Sequence, residues 1–251
     1  MTRRSPTDRA RGATRLGVAG VALILLLSCD RRMPETTPAS SAAPPTAGAL
    51  RLLALGDSYT IGEAVEARDR WPNQLHEALR RRGHAGFGSV RIIARTGWTT
   101  DELSTAINAA GHLAPPYDLV TLLIGVNNQY RGRDVATFRP EFAALLERAV
   151  GFAGGSTDRV LVLSIPDWGV MPFAEGRDRA KITAEIDAYN AVCREEASRR
   201  GVRFVDVTVI SRRATTQPDL CASDGLHPSG EQYRLWAEAI ADVLTARGTQ
   251  D

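Results

Sequence analysis

The sequence LALGDSYTIGE, residues 53–63, places two polar side chains directly after an apolar run. The run from 50 to 56 predicts a buried β-strand, and Gly56 followed by Asp57 and Ser58 predicts an abrupt turn at its end. A strand that is apolar throughout is typical of a parallel sheet covered on both faces. The stretch therefore predicts such a sheet, with a carboxyl and a hydroxyl group where the first strand ends.

Short apolar runs alternate with amphipathic patterns along the rest of the chain. The amphipathic segments place apolar residues every three or four positions, which puts them on one stripe of a helix. Strands are predicted at 50–56, 89–94, 118–124, 159–165 and 202–208, and helices at 71–83, 100–110, 134–153, 178–200 and 229–247. Five strands separated by helices predict a doubly wound α/β domain with a five-stranded parallel sheet.

Polar residues follow these strands at the edge where an open parallel sheet binds ligands. The loops there converge, and helix N-termini point their N–H groups inward. A serine hydroxyl becomes a nucleophile when an imidazole accepts its proton, and a carboxylate orients that imidazole and stabilises its cation. Ser58 follows the first strand, and Asp224 and His227 precede the last helix. These three residues are candidates for a nucleophile, an orienting acid and a general base.

An acyl-transfer site also needs hydrogen-bond donors where the tetrahedral intermediate develops its negative oxygen. Gly97 follows the second strand, and Asn127 follows the third. The N–H groups of Ser58 and Gly97 and the side-chain amide of Asn127 are the candidates for this oxyanion hole.

In this order, the motifs resemble the SGNH/GDSL hydrolase family from about residue 50 to the end of the chain. GDSYT at 56–60 is similar to its first block, with Ser58 as nucleophile, and Gly97 matches the glycine of its second block. GVNN at 125–128 is similar to the third block, with Asn127, and DGLH at 224–227 to the last. The resemblance implies a three-layer, flavodoxin-like α/β/α sandwich and a serine esterase or lipase without metal or organic cofactor.

One position departs from the family pattern, because the third block usually reads Gly-x-Asn-Asp and here ends in Asn128. Since the oxyanion role belongs to the preceding Asn127, the resemblance implies an intact mechanism. The departure leaves open any role of a carboxylate at 128 in loop structure or substrate choice.

Several of these residues have simpler interpretations. Gly-Asp-Ser and Asp-Gly also occur in ordinary turns and helix caps, so the prediction rests on the combination of motifs. Asp167, which follows the fourth strand, is interpreted as a loop cap because Asp224 already precedes the histidine. Aromatic residues at the sheet edge either pack in the interior or form the substrate pocket. The predicted pocket residues are Tyr59, Trp98, Asn128, Tyr130 and Trp168.

The first 28 residues have the pattern of an export signal. Five arginines precede an apolar run at 16–27, which is shorter than the roughly 20 residues that span a bilayer. LLSC at 26–29 resembles the bacterial lipobox, which predicts a lipid anchor on Cys29; an ordinary secretory signal is the alternative. Residues 29–49 are rich in Pro, Ala, Ser and Thr and predict a tether, with the hydrolase domain at 50–251.

The net charge and the composition limit the classes of partner that the sequence predicts. Removing residues 1–28 takes away five arginines and one aspartate, which leaves 26 basic and 28 acidic residues and a formal charge of about −2. This balance gives no argument for nucleic-acid binding. No His-x-x-x-His or Cys-x-x-Cys spacing occurs, so no zinc site is predicted.

Cys193 lies on an apolar helix face, which favours a buried thiol, but an exported protein could also join it to Cys221 through a disulfide bond.

The substrate class stays open at the sequence level. We expect a monomeric, exported lipoprotein that faces the periplasm or the cell exterior and cleaves a carboxylic or O-acetyl ester. A lysophospholipase or an acyl-thioesterase is the alternative within the family. A tethered binding protein that keeps the fold without the chemistry is an alternative of a different class.

Overall fold

The computed structural model describes residues 50–246. The predicted signal peptide at 1–28, the predicted tether at 29–49 and the lipidation site at Cys29 lie outside the described residues. Among the helices of the described part, none is both long and apolar enough to cross a bilayer.

The described residues form a five-stranded, fully parallel sheet with helices on both faces. The strands are β1 (Leu50–Gly56), β2 (Phe87–Ala94), β3 (Leu119–Leu123), β4 (Val160–Leu163) and β5 (Arg203–Val205). Their order across the sheet is β2-β1-β3-β4-β5. The chain therefore passes from β1 to β2 on one side of β1 and then crosses to β3 on its other side. Ligands bind at such a switch point, beyond the carboxyl ends of the strands.

Eight α-helices accompany the sheet in the described residues. They are α1 (Ser58–Ile61), α2 (Trp71–Arg81), α3 (Thr100–Ala109), α4 (Val126–Tyr130), α5 (Val135–Phe152), α6 (Arg179–Arg199), α7 (Thr208–Ser211) and α8 (Gly230–Thr245). Helices α2 and α8 pack together on one face, and α5 packs between α3 and α6 on the other. This arrangement confirms the predicted three-layer α/β/α sandwich.

Burial of both faces of the sheet explains why the central strands are continuous apolar runs. Leu52, Leu53, Ala54 and Leu55 of β1 are all 0% exposed, and every residue of β3 is buried. A strand buried on one face only would alternate apolar and polar residues. The core therefore extends through both faces of the sheet and holds the ends of β1 and β3 rigidly.

The prediction omitted three helices of four or five residues. Helix α1 begins two residues after β1 ends, and α4 and α7 each begin three residues after β3 and β5 end. A helix of one turn contains too few residues to show a period of 3.6, so the sequence pattern predicts no helix in these segments. Two of these turns carry Ser58 and Asn127, and their geometry is therefore a finding of the structure.

Cys193 and Cys221 are free thiols. Cys193 is buried on α6, as its place on an apolar helix face predicts, and burial raises the pKa of its thiol. The alternative of a disulfide between these two cysteines is therefore wrong for this structure.

Candidate active site

Ser58 is the first residue of α1, directly beyond the carboxyl end of β1. The Asp57 carboxylate caps this helix by accepting a hydrogen bond from the Tyr59 N–H at 3.1 Å. A side chain at Gly56 would overlap the Thr60 hydroxyl and the Leu123 carbonyl, so only glycine allows this tight turn. Because the first N–H groups of a helix lack an intrahelical acceptor, the Ser58 N–H is left for another partner.

His227 and Asp224 form a hydrogen-bonded pair in the loop before α8. His227 Nδ1 lies 2.5 Å from Asp224 Oδ2, and the N–H groups of Leu226 and His227 each donate to Asp224 Oδ1 at 3.0 Å. This carboxylate favours the tautomer with the proton on Nδ1, which leaves the lone pair on Nε2. The ring edge of Tyr59 packs against the imidazole, with 5.6 Å between centroids. The His227 ring is therefore fixed from two sides.

Opposing effects act on the Asp224 carboxyl group. Burial raises its pKa, but hydrogen bonds from the His227 ring and from two backbone N–H groups lower it by more. The pKa of Asp224 therefore lies below its usual value, and the group is ionised at neutral pH. An ionised partner is the form that stabilises an imidazolium cation.

The two other candidates for the oxyanion hole are held in place by a backbone carbonyl group and an arginine. Asn127 Nδ2 donates one hydrogen bond to the Trp98 carbonyl at 2.9 Å, which leaves the second N–H of the amide for a ligand. Gly97 has a φ of 84°, in the left-handed region that favours glycine. Its carbonyl accepts a hydrogen bond from Arg131 Nη2 at 2.6 Å, which fixes the loop.

These groups converge on one pocket of about 210 Å³. The pocket includes seven residues from the sequence prediction: Ser58, Tyr59, Gly97, Asn127, Tyr130, Trp168 and His227. It also includes four that the prediction missed: Thr96, Val126, Phe173 and Leu226. Three of the missed residues directly precede a predicted one. Phe173 lies in the loop after β4, where the sequence analysis names only Trp168 as a pocket residue.

The structure does not bring Asn128 and Trp98 into this pocket. Asn128 is fully buried, where its amide accepts a hydrogen bond from the Thr100 N–H and donates one to the Thr100 hydroxyl. Trp98 lies beside α3 in a separate groove, and only its carbonyl contributes, by fixing Asn127. Their expected role as pocket residues is therefore corrected.

The surroundings of Asn128 also explain the departure from the family pattern. An amide both donates and accepts, whereas an ionised carboxylate only accepts. Asn128 Nδ2 lies 2.7 Å from the Thr100 hydroxyl and 3.4 Å from Glu141 Oε2. A carboxylate at this position would lie close to Glu141 and repel it. Asn128 thus joins α4 to α3 and α5 without an extra charge.

The hydrogen-bond partners of Asp167 explain why a buried carboxylate lies here, without a catalytic role. It is fully buried and accepts hydrogen bonds at 2.9 Å from the Gly169 N–H, the Thr183 hydroxyl and Arg212 Nε. These bonds hold the loop that follows β4, in agreement with its interpretation as a loop cap.

Asp57 is a second buried carboxyl group at the site. Its Oδ2 has no hydrogen-bond partner within residues 50–246, and burial raises its pKa from 3.8 to about 7 despite the hydrogen bond from Tyr59 N–H. Between these two pH values the unfolded chain releases a proton that the folded chain keeps. Stability contributed by this group therefore falls as pH rises from about 4 to about 7.

We expect Asp57→Asn to gain stability relative to wild type as pH rises. The amide introduced by this substitution would still accept the Tyr59 N–H but would carry no charge. A shift of one pKa unit corresponds to about 1.4 kcal/mol, so the relative free energy of unfolding should change by about 2 to 4 kcal/mol between pH 4.5 and pH 8. Denaturant unfolding of both proteins at the two pH values measures this difference. The exposed Asp219→Asn is the control, and equal pH dependence in wild type and Asp57→Asn would contradict the expectation.

Comparison with known proteins relates this geometry to a family. Residues 54–235 match the model of the GDSL-like lipase/acylhydrolase family. No curated protein sequence matches the chain significantly.

Solved structures share the fold at low sequence identity. TesA is 21% identical with a TM-score of 0.59, over 78% of this chain and 98% of its own. The lipase/acylhydrolase from Enterococcus faecalis is 23% identical with a TM-score of 0.59, over 78% and 95%. The acetylxylan esterase Axe2 from Geobacillus stearothermophilus is 18% identical with a TM-score of 0.59, over 81% and 97%.

The family model covers most of the chain, including the turn that carries Ser58 and the helix that carries Asn127. The fold and the family assignment agree with the resemblance that the sequence motifs indicate. The chain therefore belongs to the GDSL-like lipase/acylhydrolase family and is a hydrolase that acts on ester bonds.

Proposed function

We propose that the protein cleaves carboxylic esters through an acyl-enzyme on Ser58. The Ser58 hydroxyl attacks the ester carbonyl carbon while His227 Nε2 accepts its proton, and Asp224 stabilises the imidazolium. The tetrahedral intermediate then collapses, and His227 returns the proton to the departing alcohol. Water, deprotonated by the same nitrogen, hydrolyses the acyl-enzyme and restores Ser58.

The observation that carries this proposal is the hydrogen bond between Asp224 and His227 in the pocket that Ser58 also lines. Its length of 2.5 Å and the two backbone N–H groups on Asp224 hold one tautomer of the ring. A histidine that served only packing would not need a fixed lone pair in a pocket that a serine also lines. In enzymes without substrate, the bond between nucleophile and base is often long and shortens on binding.

The oxyanion hole in this proposal consists of the Ser58 N–H, the Gly97 N–H and the Asn127 side chain. All three residues line the same pocket, and they come from the ends of three different strands. Donors fixed before the reaction need no reorganisation when the negative charge develops. The bonds that Asn127 and Gly97 make with Trp98 and Arg131 supply this rigidity.

We further propose that the acyl group is short, with an O-acetyl ester as the favoured substrate. The pocket is small, at about 210 Å³, and the rings of Tyr59, Trp168 and Phe173 form much of its wall. Tyr59 and Trp168 are almost fully buried, so these rings have little room to move. The acetylxylan esterase Axe2 shares the fold, which is consistent with this size class.

An acyl-chain series of p-nitrophenyl esters tests the proposed size class. We expect kcat/KM to be greatest for acetyl and to fall by about 10-fold or more by octanoyl, since one misplaced methylene in a rigid pocket costs about 10-fold or more. Activity that rises up to octanoyl would contradict the proposal and favour the lysophospholipase alternative. Absence of turnover for every ester would favour a binding protein.

A further inference from the structure

Three aromatic rings form one wall of the pocket and continue to its mouth. We call Tyr130, Trp168 and Phe173 the aromatic wall. Their ring centroids lie 5.5 Å apart for Tyr130 and Trp168, 6.0 Å for Trp168 and Phe173, and 6.4 Å for Tyr130 and Phe173. Trp168 is almost fully buried, whereas Tyr130 is 49% and Phe173 40% exposed. The wall therefore extends from the interior of the pocket to solvent.

The guanidinium group of Arg177 lies against all three rings. Its central carbon is 5.0 Å from the Phe173 centroid and 5.5 Å from those of Tyr130 and Trp168. Each distance is within the range of a cation–π contact. Trp168 Nε1 donates to Gln129 Oε1 at 2.8 Å, which fixes the innermost ring. A positive charge thus lies against the aromatic wall, two of whose rings are exposed to solvent.

This charge has no acidic partner in the described part of the chain. The one hydrogen bond that the Arg177 side chain makes there is a long one, at 3.4 Å from Nη2 to the Tyr130 hydroxyl. The neighbouring Asp178 instead caps α6 by accepting from the Lys181 N–H. Arg194 provides a contrast, because it stacks on Phe204 at 4.2 Å and also pairs with Asp206 at 2.7 Å.

A guanidinium carries five N–H donors, so a cation–π contact and one long hydrogen bond leave donors for an anion. Contacts with three rings favour one position of the side chain before any ligand arrives, which lowers the entropy lost on binding. A carboxylate or phosphate is the group that these donors bind best, through charge-assisted hydrogen bonds. A charge without an acidic partner in the described residues, held near three rings of the pocket wall, points to a preformed anion subsite.

We propose that Arg177 binds an anionic group on the alcohol part of the ester substrate. This inference rests on the proposed function, in which a short acyl group fills the pocket. The alcohol part then extends along the exposed rings of Tyr130 and Phe173 and reaches the guanidinium. The substrate class is therefore a short-chain ester of an alcohol that carries a carboxylate or phosphate.

Two nearly isosteric acetyl esters test this subsite. 4-Acetoxybenzoate carries a carboxylate at neutral pH, and methyl 4-acetoxybenzoate is its neutral counterpart. The measured quantity is the ratio of kcat/KM for the anionic ester to that for the neutral one, each divided by its spontaneous hydrolysis rate. We expect Arg177→Gln to lower this ratio by about 5- to 20-fold, mainly through KM, because a charge-assisted hydrogen bond is lost.

Two further variants sharpen the test. Arg177→Lys retains the charge and should keep part of the preference. Arg194→Gln removes an arginine that contacts Phe204 and not the aromatic wall, so it should leave the ratio unchanged. An unchanged ratio in Arg177→Gln, or an equal fall in Arg194→Gln, would overturn the subsite. If wild type hydrolysed neither acetoxybenzoate ester and no p-nitrophenyl ester, the proposed function itself would fail. If wild type and Arg177→Gln hydrolysed both acetoxybenzoate esters with the same ratio, only the subsite would be refuted.

Discussion

Replacing Ser58 by alanine is expected to lower kcat/KM for p-nitrophenyl acetate by about 10⁴- to 10⁶-fold. In the proposed mechanism the hydroxyl oxygen bonds to the acyl carbon, and alanine has no atom to replace it. The remaining activity would come from the proposed oxyanion donors, because the two backbone N–H groups and the Asn127 amide do not depend on the Ser58 side chain. Stopped assays at high enzyme concentration measure this residual rate.

Covalent labelling provides an independent check of the same residue. A fluorophosphonate should label wild type at Ser58, as mapped by mass spectrometry, and should not label Ser58→Ala. The control is Ser198→Ala, an exposed serine on α6, which should keep full activity and labelling. Label on another residue of Ser58→Ala would exclude Ser58 as the nucleophile.

Asp224→Asn should have the second largest effect, a loss of about 10³- to 10⁴-fold in kcat. The oxygen of the introduced amide would still accept the N–H groups of Leu226 and His227, so the loop should keep its shape. The amide nitrogen would then donate to His227 Nδ1, which forces the ring proton onto Nε2. In that tautomer Nε2, the proposed acceptor of the Ser58 proton, is a donor and accepts no proton.

Thermal unfolding separates this explanation from a loss of structure, and the wild-type pH profile tests whether Asp224 is ionised. Because hydrogen bonds hold the pKa of Asp224 below its usual value, wild-type activity should show no loss from its protonation above about pH 4. Thermal unfolding of Asp224→Asn should remain cooperative, and Asp219→Asn should match wild type in kcat. A loss smaller than about 10-fold in kcat would show that Asp224 does not orient the base.

The sequence alone was sufficient for the sheet and its long helices. In β1 and β3, unbroken apolar runs correspond to strands buried on both faces, and the stripes of α5 and α8 correspond to helices that cover the sheet. These patterns are strong because many residues share one period. The short helices α1 and α4 were missed because one turn is too short to show a period.

Neighbouring residues on a short helix illustrate what the sequence left undetermined. Successive side chains on an α-helix point about 100° apart, so adjacent residues face different surroundings. Asn127 faces the pocket, whereas Asn128 is buried in hydrogen bonds to Thr100. Both are asparagines in one motif, and only the orientation of α4 determines which of the two side chains faces the pocket.

By itself, the sequence determined the α/β class, the order of the motifs and the residues offered at the carboxyl edge of the sheet, because these depend on local periodicity and on residue chemistry. The tertiary structure decided which of those side chains meet. Phe173 and Arg177 join Tyr130 and Trp168 at the mouth because the loop after β4 packs against α4. Such contacts depend on the packing of segments distant in sequence, and no local pattern records that packing.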